Sequence, residues 1–232
     1  MSWLELSRRP EPEVMDDAGE VDAYSSAAAQ DYLDALDNTL VDQALSLGIT
    51  KGKALDAGTG PGSIPVKMAR RCPGLEVIGI DRSPEMIETA RRLARQQALH
   101  DHVRFCMADA NELCFPSATF DLVMSNSVLH HLSRPVAALD EMARVTKPQG
   151  MVLIRDLRRP SRVAFGAHVA WYGRHYSGKM KALYESSARA AYTPQELKEM
   201  IRSSALASGH IFVYHRTHLG VLLRNEPGRR ES

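Results

Sequence analysis

Cysteine, aromatic residues, long apolar runs and net charge are all scarce in this chain, and each shortage narrows what it can be. Three cysteines in 232 residues, Cys72, Cys106 and Cys114, are odd in number and show none of the paired spacings of zinc sites. Neither a disulfide framework nor a cysteine metal centre is expected. They read as small core residues in a reduced, cytoplasmic setting. Nowhere do eighteen apolar residues run together, so no membrane span is expected. The opening "MSWLELSRRPEPEVMDD" has no apolar stretch of signal-peptide length. Lys and Arg total 29 against 28 Asp and Glu, a formal net charge of +1. A surface built throughout for nucleic acid carries a clear basic excess, so no nucleic-acid partner is expected. No metal-ligand spacing and no catalytic triad stands out.

What is present is a rhythm. Residues 1–20 are rich in Pro, Glu and Asp and read as irregular. From Tyr24 to Leu47 apolar residues recur at helical spacing (Tyr32, Leu36, Leu40, Ala44, Leu47), and Gly48 ends the helix. Then "KALDAG" predicts a buried strand and "GSIPVKMARRC" a helix with Pro65 in its first turn. "LEVIGID" is a strand, and "SPEMIETARRLARQQAL" a helix with Ser83 as N-cap and Pro84 at its first position. "HVRFCMAD" and "FDLVMSNS" are further strands. "PVAALDEMARVTK" predicts a helix stopped by Pro148 and Gly150, before "MVLIRDL" as the fifth strand. Beyond Arg158 the composition turns helical, with Trp171, Tyr172, Tyr176 and Tyr184. A capping box at Thr193 and Glu196 opens one more helix, and "HIFVYHR" with "LGVLLR" suits an antiparallel hairpin.

Strand-helix alternation with short joints means a doubly wound α/β fold, a mostly parallel seven-stranded Rossmann-like sheet. The C-terminal hairpin and a helical cap complete it. The organisation expected is an irregular segment and helix over the ligand site (1–48), an α/β core (49–158), a helical cap carrying the acceptor site (159–192), and a closing helix and hairpin (193–232). Nothing in the sequence sets the oligomeric state.

The first strand runs into "LDAGTGPGS" (55–63). Glycines between a strand and a helix let a ligand touch the backbone. Dinucleotide loops need G-x-G-x-x-G to seat pyrophosphate on the helix. Here Gly58, Gly60 and Gly62 alternate and Ser63 follows, so that third glycine is missing. Asp56 would repel phosphate and suits a cationic ligand. "ALDAGTGPG" resembles the first motif of class I S-adenosylmethionine-dependent methyltransferases, acid-x-Gly-x-Gly-x-Gly. The later landmarks agree over about residues 50–157, and the overall look is closest to the ubiquinone/menaquinone-biosynthesis-methylase-like group. The resemblance implies S-adenosyl-L-methionine as cofactor, with Asp56, Ala57 and the three glycines around its methionyl part. Asp81 would hold the ribose, with Arg82 beside it and Met86 against the adenine. Asp109 and the backbone of Ala110 would meet the adenine edge, and Asn126 and Ser127 would face the methyl donor. From the N-terminal segment, Tyr24 and Met15 would close over the cofactor.

Methyl transfer from a sulfonium needs alignment and exclusion of water more than a reactive side chain. A base is needed only for a protonated acceptor. His130 and His131, after the fourth strand, are the candidates for that catalytic role, with loop structure as the plainer account of them. His210, His215 and His218 do not share one strand face and read as surface histidines. Trp171, Tyr172 and Tyr176 either wall a pocket for a small-molecule acceptor or merely pack the cap. The basic run "RDLRRPSR" (155–162) either meets an anionic acceptor such as a carboxylate or phosphate or, as the plainer account, is a solvated, helix-flanking charge run. The competing functions are protein or nucleic-acid methylation, a non-catalytic S-adenosylmethionine-binding regulator, and NAD-dependent oxidoreduction. After the fourth strand Ser125, Asn126, Ser127 and Val128 replace the polar-Pro-Pro-aromatic motif of amino-methylating nucleic-acid enzymes.

Overall fold

Short, mostly buried runs build seven strands in one sheet among the described residues. The computed structural model describes residues 5–11 and 27–224, and side chains of the first helix from Tyr32 onward. The elements in chain order are α1 (Ala27–Ser46), β1 (Gly52–Ala57), α2 (Ser63–Arg71), β2 (Leu75–Asp81), α3 (Pro84–Gln96), β3 (Val103–Met107) and β4 (Phe120–Asn126). Then follow α4 (Pro135–Val145), β5 (Thr146–Leu157), α5 (Phe165–Tyr172), α6 (Gly178–Ala190), α7 (Pro194–Arg202), β6 (His210–Tyr214) and β7 (His218–Arg224). The strand order is β3-β2-β1-β4-β5-β7-β6. The first five strands are parallel, while β7 runs antiparallel to both β5 and β6. The chain order reverses between β1 and β4. In open α/β sheets ligands bind at such a point, beyond the carboxyl ends of the strands.

Period-two side-chain alternation divides the core. Ala54, Leu122, Met124 and Leu153 pack with Leu40, Val41, Met68, Ile87 and Ala90 of α1, α2 and α3. Their strand neighbours Leu55, Val123, Val152 and Ile154 face Leu139 and Met142 of α4 and Leu197 and Ile201 of α7. The helix starts follow their caps. The Ser83 hydroxyl accepts from the Met86 amide at 3.3 Å, and Thr193 and Glu196 form the full capping box. Above the strand ends, Tyr176, Met180 and Tyr184 gather with Tyr32 and Leu157 as a separate apolar cluster.

Several expectations are corrected. Pro148 and Gly150 do not stop a helix: α4 ends at Val145, and both residues lie within β5. Thr146 pairs with Phe120 and Met151 with Leu122, so residues 147–150 bulge out of the ladder between β4 and β5 and Pro148 is not called on for a ladder bond. Of the cysteines only Cys72 is buried core; Cys106 is half-buried and Cys114 exposed. Tyr24 and Met15 lie outside the described residues. Among the described residues no helix is long and apolar enough to cross a membrane.

The run 155–162 is not simply solvated either. Arg155 is fully buried, and Arg159 nearly so. Arg155 donates to Asn126 Oδ1 (3.0 Å), Thr39 Oγ1 (2.7 Å) and the Leu36 carbonyl (2.9 Å), binding α1 to the ends of β4 and β5. Arg159 donates to the Ala191 carbonyl at 2.6 Å and pairs with Glu196 at 2.5 Å. Arg155→Ala leaves the Asn126 and Leu36 oxygens without their donor and opens a cavity. It is expected to cost about 2–4 kcal/mol, read as a lower urea midpoint at unchanged slope.

Candidate active site

The glycine loop leaves β1 at the reversal point. The amides of Gly58 and Thr59 both donate to the Ile80 carbonyl at 2.8 Å, which folds the loop against the end of β2. A Cβ on Gly58 would stand 2.3 Å from Val128 Cγ2, so glycine is what lets the loop after β4 approach. Gly60 has a φ of +52° with open space where a Cβ would point. There the requirement is the left-handed backbone. The Gly60 amide donates to Asp81 Oδ2 at 2.8 Å, and the Ser83 amide to Oδ1 at 3.0 Å. Burial raises the Asp81 pKa, against the pull of these amides.

One cavity opens beside this loop. At one end its wall is Gly58, Asp81, Arg82, Ala108 and Ala110, with Asn126 and Ser127 beyond. Ser127 holds a φ of +58°, rare for a residue with a side chain, and its amide donates to the Arg155 carbonyl at 2.8 Å. Such strain persists only where the surroundings enforce it. At the other end the wall is apolar and aromatic: Tyr32, Leu36, Leu157, Tyr176, Met180 and Tyr184. His130, His131 and His218 are the titratable groups there.

His130 is buried and held from both sides. Its amide donates to Asp156 Oδ2 at 2.9 Å, and its Nδ1 lies 2.5 Å from Asp156 Oδ1. Burial favours the neutral ring, but the charge and hydrogen bond of Asp156, with Glu11, prevail and raise its pKa. The same pairing holds Asp156 below the usual carboxylate range although burial works against it. His130 Nε2 has no hydrogen-bond partner among the described residues. Glu11 Oε2 lies 3.7 Å from it and 3.4 Å from His131 Nδ1. Residues 5–11 reach this place because Arg8 donates to the carbonyls of Ala190 (2.6 Å) and His130 (2.8 Å) and covers the Tyr192 ring.

Comparison with known proteins agrees with this geometry. Residues 50–205 match a family model described as a methyltransferase domain. The chain is 29% identical to a demethylmenaquinone methyltransferase of Deinococcus radiodurans, over 71% of this chain and 78% of that protein. It is 32% identical to a demethylmenaquinone methyltransferase of Thermus thermophilus, over 71% and 80%. The crystal structure of a SAM-dependent methyltransferase from Aquifex aeolicus superposes with a TM-score of 0.63 at 19% identity, covering 89% of this chain and 97% of that one. The chain belongs to the class I S-adenosylmethionine-dependent methyltransferases.

In this methyltransferase the residues present fit that cofactor. The Gly60 backbone is bare towards open space, and a carboxylate stands at the end of β2 on the cavity wall. Not every expected contact lies on that wall. Met86 is buried in the core. Asp109 turns to Asn111, accepting from its amide and side chain at 2.8 Å each, with Arg82 Nη1 3.9 Å away. Asp56 is buried and off that wall, with neither oxygen on a hydrogen-bond donor among the described residues. Of the cap aromatics Tyr176 is on the wall, whereas Trp171 is 62% exposed and Tyr172 stands off it. His218 is no surface histidine: burial pushes its pKa down to about 3, with Arg155 adding to the fall. Tyr32, Glu11 and Asp156 escaped sequence reading. Only the helical period of "YLDAL" hinted at the first, because contacts between distant segments leave no spacing signal.

Burial holds the Asp56 carboxyl up at about 7, opposed by the Thr59 hydroxyl and reinforced by Asp37 and Asp81. An acid with a folded-state pKa above its unfolded value binds more protons when folded. Its contribution therefore falls as pH rises from about 4 towards 7. In cofactor-free methyltransferase, the stability of Asp56→Asn relative to the native protein is expected to improve across that window. Urea unfolding at acidic and at neutral pH reads the difference.

Proposed function

We propose that the protein transfers the methyl group of S-adenosylmethionine, by in-line displacement, to a small acceptor carrying an aromatic ring and an ionisable hydroxyl, of the hydroquinone class. The observation that carries this reading is the continuity of the cavity. Asp81 and the glycine loop lie at one end, and Tyr32, Tyr176, Met180, Tyr184 and two histidines lie at the other. Two relatives named for demethylmenaquinone methylation support it. The cofactor supplies a methyl group already activated by its positive sulfur. What remains for the chain is to bind, align and keep water out.

The roles divide along the cavity. Asp81 would accept the ribose hydroxyls, and the loop from Gly58 to Gly62 would lie along the methionyl part. Ala110, buried on the wall, would pack the adenine end, with Arg82 beside it. Asn126 and Ser127 stand between the two ends, where the methyl group must pass. The aromatic wall would sandwich a flat ring. His130 and His131 would favour ionisation of the acceptor hydroxyl, which makes an aromatic ring or its oxygen a better nucleophile. Asp156 is a positioning residue, fixing the His130 ring through Nδ1.

Two experiments test the reading. Calorimetric titration with S-adenosylhomocysteine, with NAD as control, is expected to show binding that falls at least about ten-fold in Asp81→Ala, the loss of one charged hydrogen-bond acceptor. Equal affinity in the variant would remove Asp81 from the site. Turnover of a naphthohydroquinone, beside a basic peptide and a transfer RNA, is expected only with the first. His131→Ala should lower kcat about 10²-fold or more while leaving S-adenosylhomocysteine affinity intact. Methylation of a macromolecule alone would overturn the acceptor class, and unchanged turnover in both His130→Ala and His131→Ala would remove the histidines.

A further inference from the structure

The geometry points to a divalent transition-metal site formed by Glu11, His130 and His131 at the acceptor end of the cavity. One ligand atom from each residue, Glu11 Oε2, His130 Nε2 and His131 Nδ1, lies within 4.8 Å of the other two. The separations from Glu11 are 3.4 and 3.7 Å. These are too long for good hydrogen bonds. They are close to the edge of a tetrahedron about a zinc-like ion, about 3.3 Å for bonds of about 2.0–2.1 Å.

The surroundings point the same way. His130 is 1% exposed, its Nε2 has no hydrogen-bond partner among the described residues, and that atom faces Glu11. An orphaned buried nitrogen needs an explanation. Its other nitrogen is bound to Asp156 at 2.5 Å. A carboxylate behind the ring is the arrangement that fixes the tautomer and orientation of a metal-ligating histidine. Glu11 is itself steadied by the Ser187 hydroxyl, which donates to Oε2 at 3.1 Å.

Two imidazoles and one carboxylate suit zinc or iron rather than a hard oxygen-seeking ion. Three protein ligands leave a coordination position open, and both histidines lie on the cavity wall. The ion would keep one positive charge beyond that of Glu11 and attract an ionised acceptor oxygen, the hydroxyl proton leaving to solvent. This use of the ion rests on the hydroquinone-class reading above; the site itself rests only on the three residues.

The test counts metal without any acceptor. Protein stripped with a chelator and dialysed against Zn²⁺ or Co²⁺ is expected to retain one ion per chain by elemental analysis. The Co²⁺ form should show the visible bands of a nitrogen- and oxygen-ligated ion. Glu11→Gln should weaken retention about 10–100-fold, the scale of losing a supporting group, and His131→Ala at least as much. Unchanged S-adenosylhomocysteine affinity in both variants certifies their fold. No stoichiometric ion in the native protein, or equal retention in the two variants, overturns the site. Either result leaves hydroquinone turnover to be judged separately, and a failure of that turnover leaves the ion count as it stands.

Discussion

Two opposite charges buried side by side on β5 hold the cavity together. Arg155 and Asp156 are consecutive, so their side chains leave opposite faces of the sheet. Both are sequestered from water, and a buried charge is tolerable only when its partners are complete. Arg155 meets this demand by gripping α1 through Thr39 and Leu36, and Asn126 at the end of β4. Asp156 meets it by binding the amide and ring of His130 and the amide of Leu157. The Arg155 carbonyl also receives the Ser127 amide. Removing either charge would therefore loosen a different wall of one cavity.

This constraint explains where sequence reading succeeds and where it stops. Strands β1 to β5 were legible because burial imposes a local pattern, a short apolar run closed by Gly, Pro or a capping serine. The nearness of the glycine loop to Asp81 was legible because the two are set at a fixed spacing on adjacent strand ends. Arg155 and Arg159 were misread because arginine is mostly exposed unless paired, and their partners lie on α1, β4, α7 and the turn before α7. His218 misled for the same reason. Its neighbour Thr217 offers a hydrogen bond at 2.8 Å, yet burial depends on a hairpin that folds back onto β5. Pro148 and Gly150 signalled a break, correctly, but the break is a bulge inside a strand rather than the end of a helix.

The two ends of the cavity are built on different principles. Gly58, Asp81 and Asn126 stand at or just beyond strand ends held by the sheet ladder. In-line displacement requires that rigidity, since alignment supplies most of the rate. The aromatic end is assembled from side chains of α1, α6, the turn Leu129–His131 and the segment 5–11. Its apolar groups give shape, and its few polar groups are drawn inward by Asp156.

The matched family region, residues 50–205, covers the whole glycine loop, Asp81 and the ends of β4 and β5. Glu11, Tyr32, Thr217 and His218 lie outside it, yet Tyr32, Thr217 and His218 help wall the cavity and Glu11 sits against His130 and His131. Segment 5–11 is joined to α6 and to the turn after it, through Arg8 and the Ala190 carbonyl, the Arg9 amide and the Arg189 carbonyl, and Glu11 and Ser187. It is joined to the histidine turn through Arg8 and the His130 carbonyl. A change in that segment would alter the shape and charge of the histidine end of the cavity without touching the glycine loop or Asp81. Selectivity can then diverge between proteins that keep the same methyl donor, because segment 5–11 bears on one end of the cavity although Arg155 braces both.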